Sequence, residues 1–319
     1  AGATYLITPF LFDLVTANGS VSDDLGWRIT LLFPAVFMVV VGVCLYLYSD
    51  DCPQGNYADL KKLDGAIAAN DEAQVSKSQV SKDKMDLKAA MLEVAKMPVT
   101  WILAFQYACS FGVELQVHNV LSLYYYEDFT TSGCVVATDA HKCRLLTQTK
   151  ASLISSLFGL MCIFARAAGG FASDYASLRY EMKGRIGVQF LAFAGQAVCL
   201  FAYSQLTSLS ASIPCLVVFG IFVQACTGST YGIVPYVAPK LTGATSGFVG
   251  AGGNVGALCW GFLFKGVVDR RKSFKYLSAF VAAAALFTAA TECGDEAAVS
   301  DGGDDGEASG DDQRVKNQV

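Results

Sequence analysis

The sequence predicts an all-α integral membrane protein, and three observations carry that prediction. Only 16% of the 319 residues are charged while 53% are hydrophobic, and soluble domains hold about 25% charged residues. The mean hydropathy is positive, +0.42. The charge gathers in Asp50–Lys96, in short loops and in the C-terminal tail, and leaves apolar runs of about 17–25 residues, the length that spans a hydrocarbon core.

The elements follow in order. Ala1–Ala17 is apolar but short, without a basic start or a cleavage pattern, so it reads as the end of a spanning helix rather than a signal peptide. Trp27–Tyr48 is a whole span, and neighbouring helices in a membrane can accommodate the kink expected at Pro34. Ser49–Met97 is a polar linker with SKSQVSKDK at its centre, and Lys82–Lys96 within it is patterned as an amphipathic surface helix. Pro98 opens a span to about Tyr126. Further spans are predicted over Lys150–Ala172, Ile186–Tyr203, Ile213–Val237, Gly243–Phe264 and Tyr276–Thr291. The acidic, Gly-rich remainder is predicted to be disordered.

The linker holds seven lysines, and the Ser177–Arg185 loop holds Arg179, Lys183 and Arg185. The positive-inside rule places both in the cytoplasm. Lys265–Lys275 carries five basic residues and comes out external, an exception to that rule.

Eleven cysteines lie mostly inside apolar runs, as packing residues. Cys134 and Cys143 share one polar loop, where a disulfide forms if the loop faces an oxidising side. No CxxC occurs and the only histidines are His118 and His141, so no metal site or cofactor is predicted. No nucleophile–base pair stands at a workable spacing, which excludes an enzyme, and no nucleic-acid partner is implied.

Arg166 lies in LMCIFARAAGG, inside an apolar run. A charge at the centre of a spanning helix costs about 2.5–3.5 kcal/mol on insertion scales, so it faces a cavity or a partner, unless it snorkels to the cytoplasmic end. Its planar fork of donors suits a small planar oxyanion. Just beyond it, Gly170 and Asp174 in GGFASD, with Arg179 and Arg185, sit where a helix meets a cytoplasmic loop and read as a conformational latch. Asp174 caps a helix end or pairs with either arginine.

Thr242–Leu263 is uncharged and holds seven glycines, among them Gly250, Gly252, Gly253 and Gly256 around a single amide, Asn254. Each glycine costs roughly 1 kcal/mol in a helix interior relative to alanine. Gly243/Gly247 and Gly252/Gly256 are G-x-x-x-G pairs, so helix packing is one reading. Approach of a ligand, with Asn254 as polar contact, is the other.

The two-plus-six pattern of spans around a charged linker resembles the two-bundle plan of the major facilitator superfamily, with the first bundle incomplete. On that plan residues 1–48 are the last two helices of the N-terminal bundle, helix five in part and helix six. Residues 49–97 are the cytoplasmic linker, 98–292 a complete six-helix C-terminal bundle, and 293–319 the disordered tail.

Within that superfamily the glycine helix with its central Asn254 resembles the second nitrate signature of the nitrate/nitrite porter family. FARAAGGFASD, QACTGSTYGIVPYV at Gln224–Val237, VELQVHNV at Val113–Val120, GWRI at Gly26–Ile29 and DDCPQGN at Asp50–Asn56 agree with it. Ala1–Thr4 looks like the tail of the first signature. The resemblance covers about residues 1–292 and is to the eukaryotic high-affinity members.

It implies a secondary transporter of nitrate, and of nitrite, driven by proton symport and working by alternating access. It implies an anion held between two arginines. Arg166 matches the second, and the first belongs to a helix two that precedes Ala1. Tyr107 and Phe111, four residues apart, match a Tyr and Phe facing the anion, and Asn254 with its glycines matches the helix whose backbone approaches it. Glu114, the one carboxylate deep in a span, is the candidate proton carrier, or else a structural partner for Gln116, His118 or Asn119. Membrane lipid is an implied partner, a single-span accessory protein another, and the plasma membrane the implied location. The chain as given is expected not to transport, since half of the site is absent. The alternatives are a carrier of the same superfamily for another small organic anion or a sugar, and a non-transporting truncated product or nutrient sensor.

Overall fold

A computed structural model describes residues 2–17, 21–49, 87–130 and 143–300. Ordered structure within them is helical, apart from one isolated bridge between Thr130 and Arg144. The helices are α1 (Gly2–Thr16), α2 (Asp23–Tyr48), α3 (Leu87–Lys96), α4 (Pro98–Tyr107), a π-helical segment (Ala108–Gly112), α5 (Val113–Glu127), α6 (Gln148–Leu160), α7 (Cys162–Gln205), α8 (Leu209–Val237), a short 3-10 turn (Pro239–Leu241), α9 (Thr242–Gly266) and α10 (Arg270–Ser300).

Local chemistry sets several boundaries. Pro98 opens α4 in its first turn, where its missing N–H has no partner to lose. Thr147 caps α6, its hydroxyl accepting from the Lys150 N–H at 3.3 Å. Asp269 caps α10 by accepting from the N–H groups of Arg271 (3.0 Å) and Lys272 (3.4 Å). α7 is two helices joined at Glu181, whose φ of 51° breaks the helical run inside the expected cytoplasmic loop. Pro34 sits inside α2 without ending it. α10 runs on to Ser300, past the boundary expected at 292. Most of the linker, including its SKSQVSKDK centre, and the tail beyond 300 lie outside the described residues.

Four described stretches are long and apolar enough to cross a membrane: Asp23–Tyr48, Gln148–Gln205, Leu209–Val237 and Pro239–Gly266. The second spans 58 residues and folds back at Glu181. The α4–α5 run is divided by the π-helical segment, so neither of its α-helices is by itself long enough to cross.

The chain divides into two compact units, residues 1–96 with 117–161, and residues 97–116 with 162–319. The dividing lines therefore fall inside α5 and after Met161, and not only at the linker. In the first unit α1 packs on α6 through Gly2 and Gly159: a Cβ on Gly2 would stand 2.6 Å from the Gly159 carbonyl carbon. Tyr5 donates to the His118 carbonyl at 2.7 Å, and the Ser122 and Ser152 hydroxyls bond at 2.9 Å. α2 keeps its apolar residues exposed around most of its girth, as a helix facing lipid or further helices does. Cys143 is disulfide-bonded, and Cys134 lies outside the described residues.

The second unit is built on close contacts among α7, α8, α9 and the α4–π run. A Cβ on Gly228 of α8 would overlap the Arg166 carbonyl of α7, and one on Gly169 would lie 2.5 Å from the Ala225 Cα. A buried chain of amides and hydroxyls ties the spans together without charge. Gln106 donates to Thr288 at 2.8 Å, Gln189 donates to Thr230 at 2.8 Å, and Ser229 donates to the Gln189 carbonyl.

Candidate functional site

The crossing of α7 and α8 sets the site, all of it within the second unit. Gln224 precedes Gly228 by one helical turn and shares its face. Because Gly228 and Gly169 bring the two backbones together, the Gln224 side chain reaches Arg166 across the contact. Its carbonyl oxygen accepts from Arg166 Nε at 3.2 Å and from Nη2 at 2.9 Å. Arginine has only donors to offer, so Gln224 must turn its oxygen to the guanidinium and its amide group away. That amide nitrogen is buried and has no partner among the described residues.

Glu114 completes the cluster from α5. Its Oε2 accepts from Arg166 Nη2 at 2.7 Å, with side-chain exposures of 36% for Arg166 and 8% for Glu114. The fork is thus unevenly used. Its Nε–Nη2 edge is held by Gln224, the remaining hydrogen of Nη2 is held by Glu114, and Nη1 has no partner among the described residues. The end-on edge, which grips a planar oxyanion with two parallel bonds, has one prong free and one held by a carboxylate.

The aromatic pair lies beside this cluster. Tyr107 and Phe111 stack with centroids 5.1 Å apart, and the Arg166 guanidinium carbon is 5.9 Å from the Phe111 ring. Tyr107 is set further into the core, edge-on to Tyr231 at 5.3 Å and packed with Leu103, Ile233, Val234 and Val249.

The glycine helix makes two kinds of contact. A Cβ on Gly253 would come within 2.5 Å of Tyr107 Cδ1 and 2.9 Å of Phe111 Cδ1. One on Gly256 would come within 2.6 Å of the Ala108 Cα, and one on Gly252 within 2.8 Å of the Ala104 carbonyl oxygen. These three glycines are taken up by the neighbouring span. Gly250 has more room, with the Tyr231 hydroxyl as nearest atom at 3.4 Å. Asn254 is exposed and donates to the Gly250 carbonyl of its own helix at 3.0 Å. It is not brought to Arg166.

The latch residues resolve to one pair. Arg185, buried, bonds Asp174 Oδ1 at 2.6 Å, reaches the Ser173 hydroxyl at 3.4 Å and donates to the Tyr236 hydroxyl at 3.1 Å. Arg179 lies instead over Tyr180, at 5.7 Å from its ring. Gly170 has only the Gly228 carbonyl near it, at 3.9 Å from a Cβ.

Gln224 and the π-helical segment carry no role in the sequence reading. The signal for Gln224 was a lone amide one turn before a glycine in an apolar span. The segment ACSFG has no signal. Among the described residues no cluster of His, Cys, Asp or Glu is placed to hold a metal ion.

The sequence profile described as Major Facilitator Superfamily matches residues 2–261. The chain is 32% identical over 263 residues to High affinity nitrate transporter 2.5 of Arabidopsis thaliana, covering 82% of this chain and 46% of that protein. It is 32% identical over 266 residues to High-affinity nitrate transporter 2.3 of Oryza sativa subsp. japonica (82% and 45%). It is 33% identical over 262 residues to Nitrate transporter 2.2 of Chlamydomonas reinhardtii (80% and 44%). The chain spans about half the length of the curated relatives it matches.

Proposed function

The chain belongs to the Major Facilitator Superfamily, and on that premise we propose that it serves to carry nitrate, and with it nitrite, across a membrane by alternating access with protons as the driving ion. The observation that carries the proposal is Arg166: a guanidinium in an apolar span whose end-on fork is half open and half held by Glu114. The names of the relatives support the choice of anion.

The proton has a place in this geometry. While ionised, Glu114 occupies one prong of the fork and repels an incoming anion. Protonated, it keeps its place but loses the charge that competes. Anion and proton then bind best together, which is the linkage symport requires. Moving an anion inward against an inside-negative potential costs about 2.3 kcal/mol per charge per 100 mV, so symport with more than one proton makes the net charge moved favourable. Residence in the plasma membrane and a single-span accessory partner are part of the same proposal.

Arg166→Lys tests the site. Lysine keeps the charge and loses the planar fork, and with it two or more charge-assisted bonds of about 1.5–3 kcal/mol each. In a nitrate-uptake-deficient host expressing the protein from its whole gene, nitrate uptake should fall at least about 100-fold at equal membrane abundance. Uptake near the parental rate overturns the assignment. Competition by nitrite and chlorate, with none by carboxylates or hexoses, separates this substrate from another anion or a sugar.

A further inference from the structure

The run that presents Phe111 and Glu114 is not a continuous α-helix. Ala108–Gly112 is π-helical, which inserts a residue into the turn and disturbs the backbone hydrogen-bond ladder. In a hydrocarbon environment backbone polar groups must find their partners within the protein. Two side chains donate to carbonyls of this segment. Trp260 Nε1 donates to the Ala108 carbonyl at 2.8 Å, and Gln196 Nε2 donates to the Cys109 carbonyl at 2.8 Å. Both residues are buried, and they come from different helices, α9 and the second arm of α7. The Cys109 thiol adds a weaker bond to the Phe280 carbonyl, at 3.7 Å. The Trp260 ring also packs on Phe280, with centroids 5.0 Å apart.

We propose that Trp260 and Gln196 are positioning residues that hold this π-helical segment open, and through it set Phe111 and Glu114 against Arg166. The inference rests on the anion-site reading of Arg166. Its geometry is direct. α4 is fixed against α9 at Gly252 and Gly253. If the segment closed to a regular α-helix, everything beyond it would turn about the helix axis by one residue, roughly 100°. Glu114, now 2.7 Å from Arg166, would leave the fork. Neither Trp260 nor Gln196 appears among the bonding partners of Arg166, so each acts through the backbone it holds. The pairing also gives the glycine helix a role apart from contact with the anion: one turn beyond Gly256, it delivers the indole to the carbonyl of Ala108.

The test uses Trp260→Phe, which keeps the ring and removes the N–H, and Gln196→Met, which keeps the length and removes the amide, singly and together. Two readouts are taken on the protein expressed from its whole gene. Hydrogen–deuterium exchange of residues 104–118 reports the segment, and the nitrate KM and maximal rate report the site. Each single variant should raise exchange in that segment and raise KM about fivefold, the factor worth one ordinary hydrogen bond, with a smaller change in maximal rate. The double variant should differ from the product of the singles, because both hold one element. Trp260→Leu, which loses the packing as well, should lower the thermal midpoint, whereas Trp260→Phe should leave it close to the parent. Unchanged exchange in a folded double variant overturns the proposal, and so does raised exchange with unchanged KM. Raised exchange in the variants of a parent that binds no nitrate supports the clamp while refuting the anion reading.

Discussion

Glu114→Gln isolates the proposed coupling step. Glutamine is close in size to glutamic acid and keeps an oxygen for Arg166 Nη2, so it resembles the protonated carboxyl without being able to release a proton. The magnitude follows from the fork. With Glu114 on one prong at 2.7 Å, an oxyanion on the other puts two like charges about 4 Å apart, worth about 4 kcal/mol at an effective dielectric of 20. Arg166 is 36% exposed, so solvent screens part of this, and about half, or roughly 30-fold in affinity, is a reasonable expectation. Nitrate affinity should therefore be tighter in Glu114→Gln than in a parent that carries the carboxylate, by about that factor. Binding to the two purified proteins reads the first effect. Proteoliposomes read the second: the variant should exchange labelled nitrate for unlabelled nitrate but should not concentrate nitrate when an inward proton gradient is imposed. Concentrative, gradient-driven uptake by Glu114→Gln would refute the reasoning, because the proton would then travel elsewhere. Glu114→Ala is the contrasting variant. It leaves the guanidinium with Gln224 but without that partner, at a cost below the roughly 3–5 kcal/mol of a fully buried pair because Arg166 is 36% exposed, and should lower folded yield where the glutamine variant does not.

Two further outcomes test the packing that builds the site. Gln224→Leu removes the acceptor of the Nε–Nη2 edge and should cost nitrate affinity about 10-fold or more, a loss of one to two charge-assisted bonds, read as a raised KM with membrane abundance unchanged; a KM within twofold of the parent would mean that Gln224 does not orient the fork. Gly256→Ala forces a methyl to within 2.6 Å of the Ala108 Cα and should lower stability by about 1–3 kcal/mol, whereas Gly247→Ala, with nothing within 4 Å of its Cβ, should be neutral or gain up to about 1 kcal/mol from helix propensity. The thermal midpoint in detergent checks the pair, and equal midpoints would contradict the contact.

Much of this site was legible because charge is scarce in an apolar chain. Arg166 and Glu114 stand out at once, since an ionised group in a span needs a partner or a function. What the residues do not state is which partner. From the sequence Glu114 reads both as proton carrier and as a structural partner of Gln116, His118 or Asn119, and its pairing with Arg166 is not legible there, because contact between α5 and α7 is decided by packing and not by spacing. Gln224 carries no role legible in the sequence: an amide in an apolar run looks the same whether it faces an arginine or a neighbouring hydroxyl. The sequence allows Asp174 either Arg179 or Arg185, and the bend at Glu181 brings the second to it. The π-helical segment leaves no trace in ACSFG, and the stacking of Tyr107 on Phe111 follows equally from α spacing.

The glycine stretch shows how the two readings of one motif combine. Its accumulated propensity cost called for a return, and packing and ligand approach were the two candidates. Gly252, Gly253 and Gly256 are filled by the neighbouring span, which is a packing role. Yet the residues they admit are Ala104, Tyr107, Ala108 and Phe111, the run that leads into and through the π-helical segment. A methyl at Gly253 would push directly on both stacked rings. Packing here is therefore how the candidate site is placed: the helix contact fixes the aromatic pair, Trp260 on the same helix donates to the Ala108 carbonyl, and on the proposed clamp the segment between them aims Glu114 at Arg166. A glycine in this helix can shape the candidate site through the span it admits, without facing the site itself. Substitutions at Gly253 should accordingly change KM together with stability, while those at the roomier Gly250 should separate the two.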